Sequence, residues 1–330
     1  MKYIVIYFIS MLLLVFSSCG NESNIKEENK ESAEQAISNS EKEQQDSVTA
    51  NEIQEEKQKD LVSKEGNVSL FSGQAEIATY TLSKARYEEN HPGESVLIFV
   101  TEPFLNKRQV KADHPTPDNS VNVLKLNRID RFNTGIYDYS QFTSVFTPVD
   151  IEKAKYPLKI TMGSQDWCGQ SFTQVNNKSG FSYEHRSYFS SEGDTSLQLE
   201  YAYAGDNMMN LARMSPDLLP LGDFTILPSM HYLRTSQKEI KNYYANGMIE
   251  ETDDGYVYTY DIPELKRNVK FYISSKNQFR ISKWEESYPT VFDGVVRTST
   301  YELKAVKYLP YWELNNAGSI HLREELNLNN

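Results

Sequence analysis

The sequence predicts a mainly β fold (α+β): one large twisted or curled antiparallel sheet with one or two helices against its concave face. Three observations carry that expectation. Apolar and polar residues alternate at period 2 through most of the chain beyond residue 70. Short polar turns separate the alternating runs, which is the pattern of hairpins. Strand patterns do not alternate with helical ones, which disfavours a parallel doubly wound sheet.

The elements follow in chain order. Val96–Val100 is a continuous apolar run, suited to a strand buried on both faces. Phe181, Tyr183, His185 and Phe189 share one face of the next clear strand pattern. Leu197, Leu199, Tyr201 and Tyr203 share a face of another. Asp206 is placed to cap a helix over 207–214, with Met208, Leu211 and Ala212 on one side and Pro216 as the stop. Ser236 and Glu239 have capping-box spacing, and Ile240, Tyr243 and Tyr244 then fall at helical intervals with Gly247 beyond, although the tyrosine pair also suits a strand. Tyr256, Tyr258, Tyr260 and Ile262 lie on one strand face, and 295–308 is rich in Val, Thr and Tyr. Polar clusters at 176–180, 252–255 and 274–277 read as turns. No internal repeat marks a propeller or solenoid.

The 330 residues carry 34 Lys and Arg against 46 Asp and Glu, a net charge of −12. That field repels phosphates and excludes a polybasic nucleic-acid binder. Two cysteines exclude a disulfide-stapled scaffold. Residues 20–66 hold 13 acidic residues and 6 lysines with no aromatic, Pro or Cys. Such a stretch cannot bury enough apolar surface to offset its ordering entropy, so a disordered tether is expected over 19–66. The 47 residues beyond Cys19 are expected to have a coil dimension of roughly 38 Å. The remaining residues, 67–330, are expected to form a single β-rich domain, with 27 basic and 33 acidic groups.

Lys2 precedes an apolar run over 3–16, too short to span a bilayer and of signal-peptide length. The run closes on Phe16-Ser17-Ser18-Cys19. This resembles the lipobox of bacterial lipoproteins. The resemblance implies a signal peptide over 1–18, cleavage before Cys19, and fatty acylation of Cys19, with palmitate-like chains as a membrane anchor. Gly20 in place of Asp, by the sorting rule of enteric lipoproteins, implies the outer membrane, on its periplasmic face or the cell surface. Leu218-Leu219-Pro220-Leu221-Gly222-Asp223-Phe224, Tyr232-Leu233-Arg234, and the strings at 97–102, 122–127, 132–137 and 311–328 are similar to uncharacterised bacterial envelope lipoproteins. Some members are labelled septum-formation inhibitors, but the phosphate motif of that family is absent. A more distant likeness, at fold level, is to curled-sheet lipoproteins that carry lipid or other lipoproteins.

Motifs for catalysis are few. Trp167-Cys168-Gly169-Gln170-Ser171 looks like a thioredoxin WCxxC segment whose second cysteine is Ser171, and the plainer reading of Cys168 is a small buried hydrophobe. The histidines at 91, 114, 185, 231 and 321 show no metal-ligand spacing, so no metal and no cofactor are expected. His91 and His114 read as loop residues and His185 as a satisfied core histidine. Glu285 and Glu286, being adjacent, point to opposite sides of a strand and cannot form a carboxylate pair. Serine-nucleophile and phosphate-loop motifs are absent. The unusual feature is 20 tyrosines after residue 19. They fit amphipathic sheet faces, or a concave aromatic surface formed by Tyr201, Tyr203, Tyr256, Tyr258 and Tyr260 that binds an apolar or glycan ligand.

The resulting expectation is a lipid-anchored, non-enzymatic envelope protein that binds a lipid-like molecule or another envelope component. The alternatives are an envelope hydrolase and a structural module that docks through a sheet edge. Cys19→Ser is expected to move the protein from the detergent phase to the aqueous phase in detergent partitioning. An intact-mass measurement should find acyl chains on the unsubstituted protein only.

Overall fold

The computed structural model describes residue 70, residues 72–116 and residues 118–328. The predicted signal peptide, Cys19 and the whole of the predicted tether lie outside the described residues. Sixteen strands join one sheet. In chain order they begin with β1 (Ala75–Arg86), β2 (Glu89–Leu105), the short β3 (Val110–Lys111), β4 (Val121–Thr134) and β5 (Tyr137–Pro148). β6 (Lys159–Gln165), β7 (Gln170–Asn177), β8 (Phe181–Ser187), β9 (Thr195–Leu199) and β10 (Tyr203–Ala204) follow. Helix α1 (Met208–Met214), β11 (Gly222–Leu227) and helix α2 (Met230–Ser236) come next. β12 (Tyr243–Thr252), β13 (Gly255–Ile262), β14 (Arg267–Ser274), β15 (Arg280–Pro289), β16 (Val296–Leu309) and helix α3 (Leu322–Glu325) complete the chain.

Neighbours in sequence are mostly neighbours in the sheet, paired antiparallel, as the hairpin pattern predicts. The exceptions are β1 beside β16, β4 beside β2, and a parallel pair, β10 with β11. The two free ends of the sheet are β9 and β10. They are joined by residues 200–202 alone. An extended residue spans at most about 3.6 Å, so that link is shorter than about 15 Å. The opposite edges of the sheet are therefore drawn together, and the sheet curls into a nearly closed barrel.

An eight-stranded barrel is about as wide as side chains can fill. This sheet is twice that, and its interior is filled by helices. Every residue of α2 and all of α1 up to Arg213 are buried. Leu124, Leu126, Val145, Ile160, Met162, Val269, Phe271, Trp284 and Tyr301 point inward from the strands to meet them. The expected helix at 207–214 is present, though Asp206 does not cap it. Its Oδ2 accepts the Met230 backbone N–H, 2.8 Å away, at the start of α2. The helical reading after Ser236 is corrected. Residues 243–252 are strand β12, and Ser236 ends α2 with its hydroxyl donating to the Tyr232 carbonyl. Gly247 lies where any Cβ would stand 2.3 Å from the Pro220 oxygen, so its use is close backbone approach and not a helix stop.

On the outer face Phe142 of β5, Phe172 of β7 and Met248 of β12 are exposed, and an apolar patch lies over β1 and β2. There Ala75, Ile77, Val96 and Val100 are covered by Leu326 beyond α3. This cover explains why 96–100 is apolar on both faces. Val96 and Leu97 are both under a tenth exposed although they point to opposite sides. Leu197 and Leu199, by contrast, lie on an edge strand, and β9 ends before Tyr201.

Two ion-pair networks tie the helices to the wall. The first joins α1 to β1. The Arg213 guanidinium donates to both Glu76 carboxylate oxygens, at 3.1 and 2.6 Å, and neither side chain is more than 1% exposed. Tyr308 donates to the same carboxylate at 2.6 Å. Removing one partner of such a pair leaves a buried charge, which costs about 3–5 kcal/mol. Arg213→Met is therefore expected to lower the unfolding free energy in urea by about that much. Glu76→Leu combined with Arg213→Met should recover more than half of the loss.

Candidate functional site

The second network lies at the centre of the barrel. On β4 the inward positions run Leu124, Leu126, Arg128, Asp130 and Phe132, so two charges stand on an apolar face. Arg128 donates to Asp130 (2.8 Å), Glu286 (3.2 Å) and the Tyr301 hydroxyl (2.7 Å). Ser95 donates to Asp130 at 2.6 Å, and His231 Nδ1 of α2 stands 3.3 Å from the same carboxylate. Arg267 reaches the other oxygen of Glu286 at 3.3 Å and Ser229 at 3.0 Å. The Arg128 guanidinium also lies over Trp284 and Tyr301, whose rings stack 4.0 Å apart.

The environment separates these groups by charge state. Burial alone would raise the Glu286 carboxyl, but Arg128 and Arg267 outweigh it and hold it down at about 2. Burial opposes Asp130 in the same way, and Arg128 and His231 hold it well below the carboxylate range. Burial and the Arg128 charge lower His231, so its imidazole is neutral at pH 7. Asp206 differs: burial pushes its carboxyl up to about 6. Arg128, Asp206, Arg267 and Glu286 line a cavity of about 20 Å³. That admits a water molecule and nothing larger. The site brings acids and bases together, yet it is walled off by Leu126, Val145, Val269 and Phe271. It can hold charges in place, and it offers no room for a substrate.

A second, open site lies at one end of the barrel. In an antiparallel sheet alternate turns fall at opposite ends. The β1–β2, β4–β5, β6–β7, β8–β9, β13–β14 and β15–β16 turns share one end, here termed the rim. There a cavity of about 260 Å³ is lined by Ala85, Arg86 and Tyr87, by the end of α2, and by Pro289, Val291 and Phe292. Arg86 donates to the Thr235 carbonyl at 2.8 Å, and its Nε is buried with no partner. Its guanidinium packs on the Tyr87 ring at 4.8 Å and the Tyr139 ring at 5.4 Å. The Tyr87 hydroxyl meets those of Tyr139 (2.7 Å) and Tyr137 (3.2 Å). Burial works against Tyr87 ionising, but its bonds to Tyr137 and Tyr139 and the Arg86 charge bring its phenol below the ordinary value. Tyr87 holds this place at φ 55°, a left-handed conformation that costs a bulky residue of order 1 kcal/mol.

The tyrosines singled out from the sequence are placed elsewhere. Tyr258 and Tyr260 are in the packed interior, Tyr258 donating to the Pro220 carbonyl at 2.9 Å. Tyr203 is half-buried against Phe224, which also meets Tyr260. Tyr256 is half-buried beside Phe279. Tyr201 is exposed and stacks on Tyr156 at 4.9 Å. Two of the five, Tyr203 and Tyr260, meet Phe224, and none borders the rim cavity. Two further readings are corrected. His91 is a buried residue of β2, its Nε2 3.2 Å from the Arg86 carbonyl oxygen. Cys168 is exposed in the β6–β7 turn, where its N–H donates to Asp166 at 2.7 Å. His185 is a core residue, with Nδ1 2.8 Å from the Thr173 hydroxyl. Among the described residues no group of His, Cys, Asp and Glu could hold a metal ion.

No family model and no curated protein matches the chain. One solved structure resembles it: a β-barrel-like protein of the domain of unknown function DUF1849 from Brucella abortus. It is 9% identical with a TM-score of 0.36, over 71% of this chain and 98% of that one.

The shifted groups set the acid response. Glu286 and Asp130 have folded values below their unfolded ones, so their stabilisation is present above about pH 4.5 and lost as pH falls toward 2. His231 acts in the same sense below about pH 6.5. Asp206 acts oppositely: its folded value is raised, so its contribution is full below about pH 3.8 and lost as pH rises through about 6. Asp206→Asn keeps an acceptor for the Met230 N–H without the charge. It is expected to stabilise the protein by about 1–3 kcal/mol at pH 8 and by nothing measurable at pH 4, read from urea unfolding at both values.

Proposed function

We propose that this is a non-enzymatic, lipid-anchored protein of the cell envelope that holds a small amphiphile in the rim cavity. The observation that carries the reading is the composition of that cavity. Apolar walls from Ala85, Pro289, Val291 and Phe292 meet a single guanidinium, Arg86, whose Nε has no partner. Binding sites for small molecules are mostly apolar with a few placed polar groups. Burial works against the Arg86 charge, but the Tyr139 and Tyr87 phenols hold its guanidinium above its ordinary value. An acid headgroup at Arg86 with a short apolar body against Phe292 uses both features.

The hydrolase alternative needs acids and bases converging in an open cleft. Here they converge in a closed interior, around a space of one water. The expected anchor at Cys19 and the outer-membrane location belong to this proposal and rest on the lipobox resemblance.

The test is a titration of the purified protein with decanoate and with decanol, followed calorimetrically, beside mass spectrometry of whatever organic solvent extracts from it. Decanoate is expected to bind more tightly than decanol. Arg86→Met should weaken decanoate at least tenfold, as a charge-assisted bond of about 1.5–3 kcal/mol requires, and leave decanol within threefold. Phe292→Ser, at an exposed position that folding does not need, should weaken both. Equal affinity of the unsubstituted protein and Phe292→Ser for decanoate would reject the site.

A further inference from the structure

The two ends of the barrel differ in what their turns expose. At the end opposite the rim, the turns Asn106-Lys107-Arg108, Lys178-Ser179-Gly180, Asp253-Asp254 and Ser275-Lys276-Asn277 are polar, and the exposed apolar groups are Ile151 after β5 (43%), Leu221 before β11 (44%) and Trp312 after β16 (44%), each less exposed than those of the rim. At the rim, separate turns each present a large apolar side chain to solvent. Ile136 is 85% exposed in the β4–β5 turn and Trp167 is 66% exposed in the β6–β7 turn. Tyr188 is 76% exposed after β8, and Phe292 is 71% exposed in the β15–β16 turn. Isolated exposed apolar residues are ordinary, but four at the tips of separate turns on one end are not.

These tips adjoin the mouth of the cavity. The Trp167 ring lies 6.1 Å from that of Tyr137, and Tyr137 meets Tyr87, which lines the cavity together with Phe292. Tyr188 lies against Gly169, where a Cβ would come within 2.5 Å of its ring. The missing side chain lets Tyr188 stand beside the Trp167 turn.

We propose that the rim docks on a lipid leaflet, with Ile136, Trp167, Tyr188 and Phe292 seated at the boundary between headgroups and acyl chains. The shape and charge of the rim favour this occupant. The apolar groups are separate prongs, which a fluid leaflet accepts without preformed sockets. Trp and Tyr prefer that boundary, being apolar bodies with a polar edge. In these turns Asp293 pairs with Arg297 at 2.7 Å and Asp194 stands 3.9 Å from Arg186, while Asp138 and Asp166 accept hydrogen bonds from Asn133 and from the Cys168 N–H. The turns carry no excess of positive charge to attract an anionic surface, so the lipid class is zwitterionic. The inference goes beyond the small-amphiphile reading and does not depend on it.

Residues 3–16 could attach the whole chain to vesicles, so co-sedimentation is uninformative. The readout is the surroundings of Trp167. Trp284 is buried, and Trp312→Phe removes the other exposed tryptophan, leaving Trp167 as the reporter. The full chain carrying Trp312→Phe is mixed with phosphatidylcholine vesicles whose acyl chains are brominated or not. Docking should cut Trp167 emission by half or more in the brominated vesicles and shield it from aqueous acrylamide. Adding Ile136→Ser and Phe292→Ser should restore at least four-fifths of that emission, with an unchanged circular dichroism spectrum. The proposal fails if acrylamide reaches Trp167 equally with and without vesicles, or if the paired serine substitutions leave the quenching intact. It also fails if Trp167 becomes shielded without lipid as protein concentration rises, which would assign the rim to a second copy of the chain. None of these measurements uses a cavity ligand, so failure here leaves the decanoate titration to stand or fall separately.

Discussion

A curled sheet of this width cannot close on its own side chains, and the way its interior is filled governs everything else. Helices α1 and α2 enter the lumen whole, buried on all sides. A buried helix brings backbone ends that need partners. It is here that the inward charges act. Asp206 accepts the first N–H of α2, Asn207 and Asn210 bond Thr147, and Arg213 locks α1 to Glu76. Apolar replacements could fill the same volume, and buried ion pairs often add little net stability. What the charges supply is position: an arginine opposite a carboxylate defines one depth and one rotation for each helix, where leucines would accept several.

Much of the sheet was legible because its signal is local. Period 2 located β13 and β16 to within a few residues, and polar turns located the hairpins. The helices were less legible for a physical reason. An amphipathic face marks a helix at a surface, but α2 is buried all round and only seven residues long, so Met230–Ser236 shows no face to find. The capping-box spacing at Ser236 and Glu239 then pointed to the wrong side of that serine. The tyrosine-rich faces were real faces, but a face that points inward is a core when helices fill the lumen. Tyr258 and Tyr260 show this directly.

The central network left a signal that alternation alone passes over. Arg128 and Asp130 have the parity of Leu126 and Phe132, Arg267 that of Val269 and Phe271, and Glu286 that of Trp284 and Tyr288. A charge on the apolar parity of a strand must be buried with a partner or must break the strand. Three such strands in one chain, with two positive and two negative residues, already imply a shared internal site. The rim cavity has no such mark. Arg86, Ser236 and Phe292 are distant in sequence and become neighbours only because the sheet curls, so pairing beyond the hairpins decides it.

The position of the rim bears on how a tethered body could reach a membrane. The chain enters β1 at the end opposite the rim. On the proposed Cys19 anchor and rim docking, the body would have to turn over toward its own leaflet or meet a facing one. The 17 residues of β2 rise about 56 Å at about 3.3 Å each. The 47 residues of 20–66 can extend to at most about 155 Å. That bound exceeds the rise of β2, so the chain length of 20–66 permits the turned-over arrangement. Linker length therefore separates the two arrangements. Removing 20–66 leaves only residues 67–69 between Cys19 and Leu70, which is hydrogen-bonded to Thr101 of β2, a reach of about 15 Å that is far less than the rise of β2. That prevents contact with the anchoring leaflet while leaving contact with a facing one unaffected.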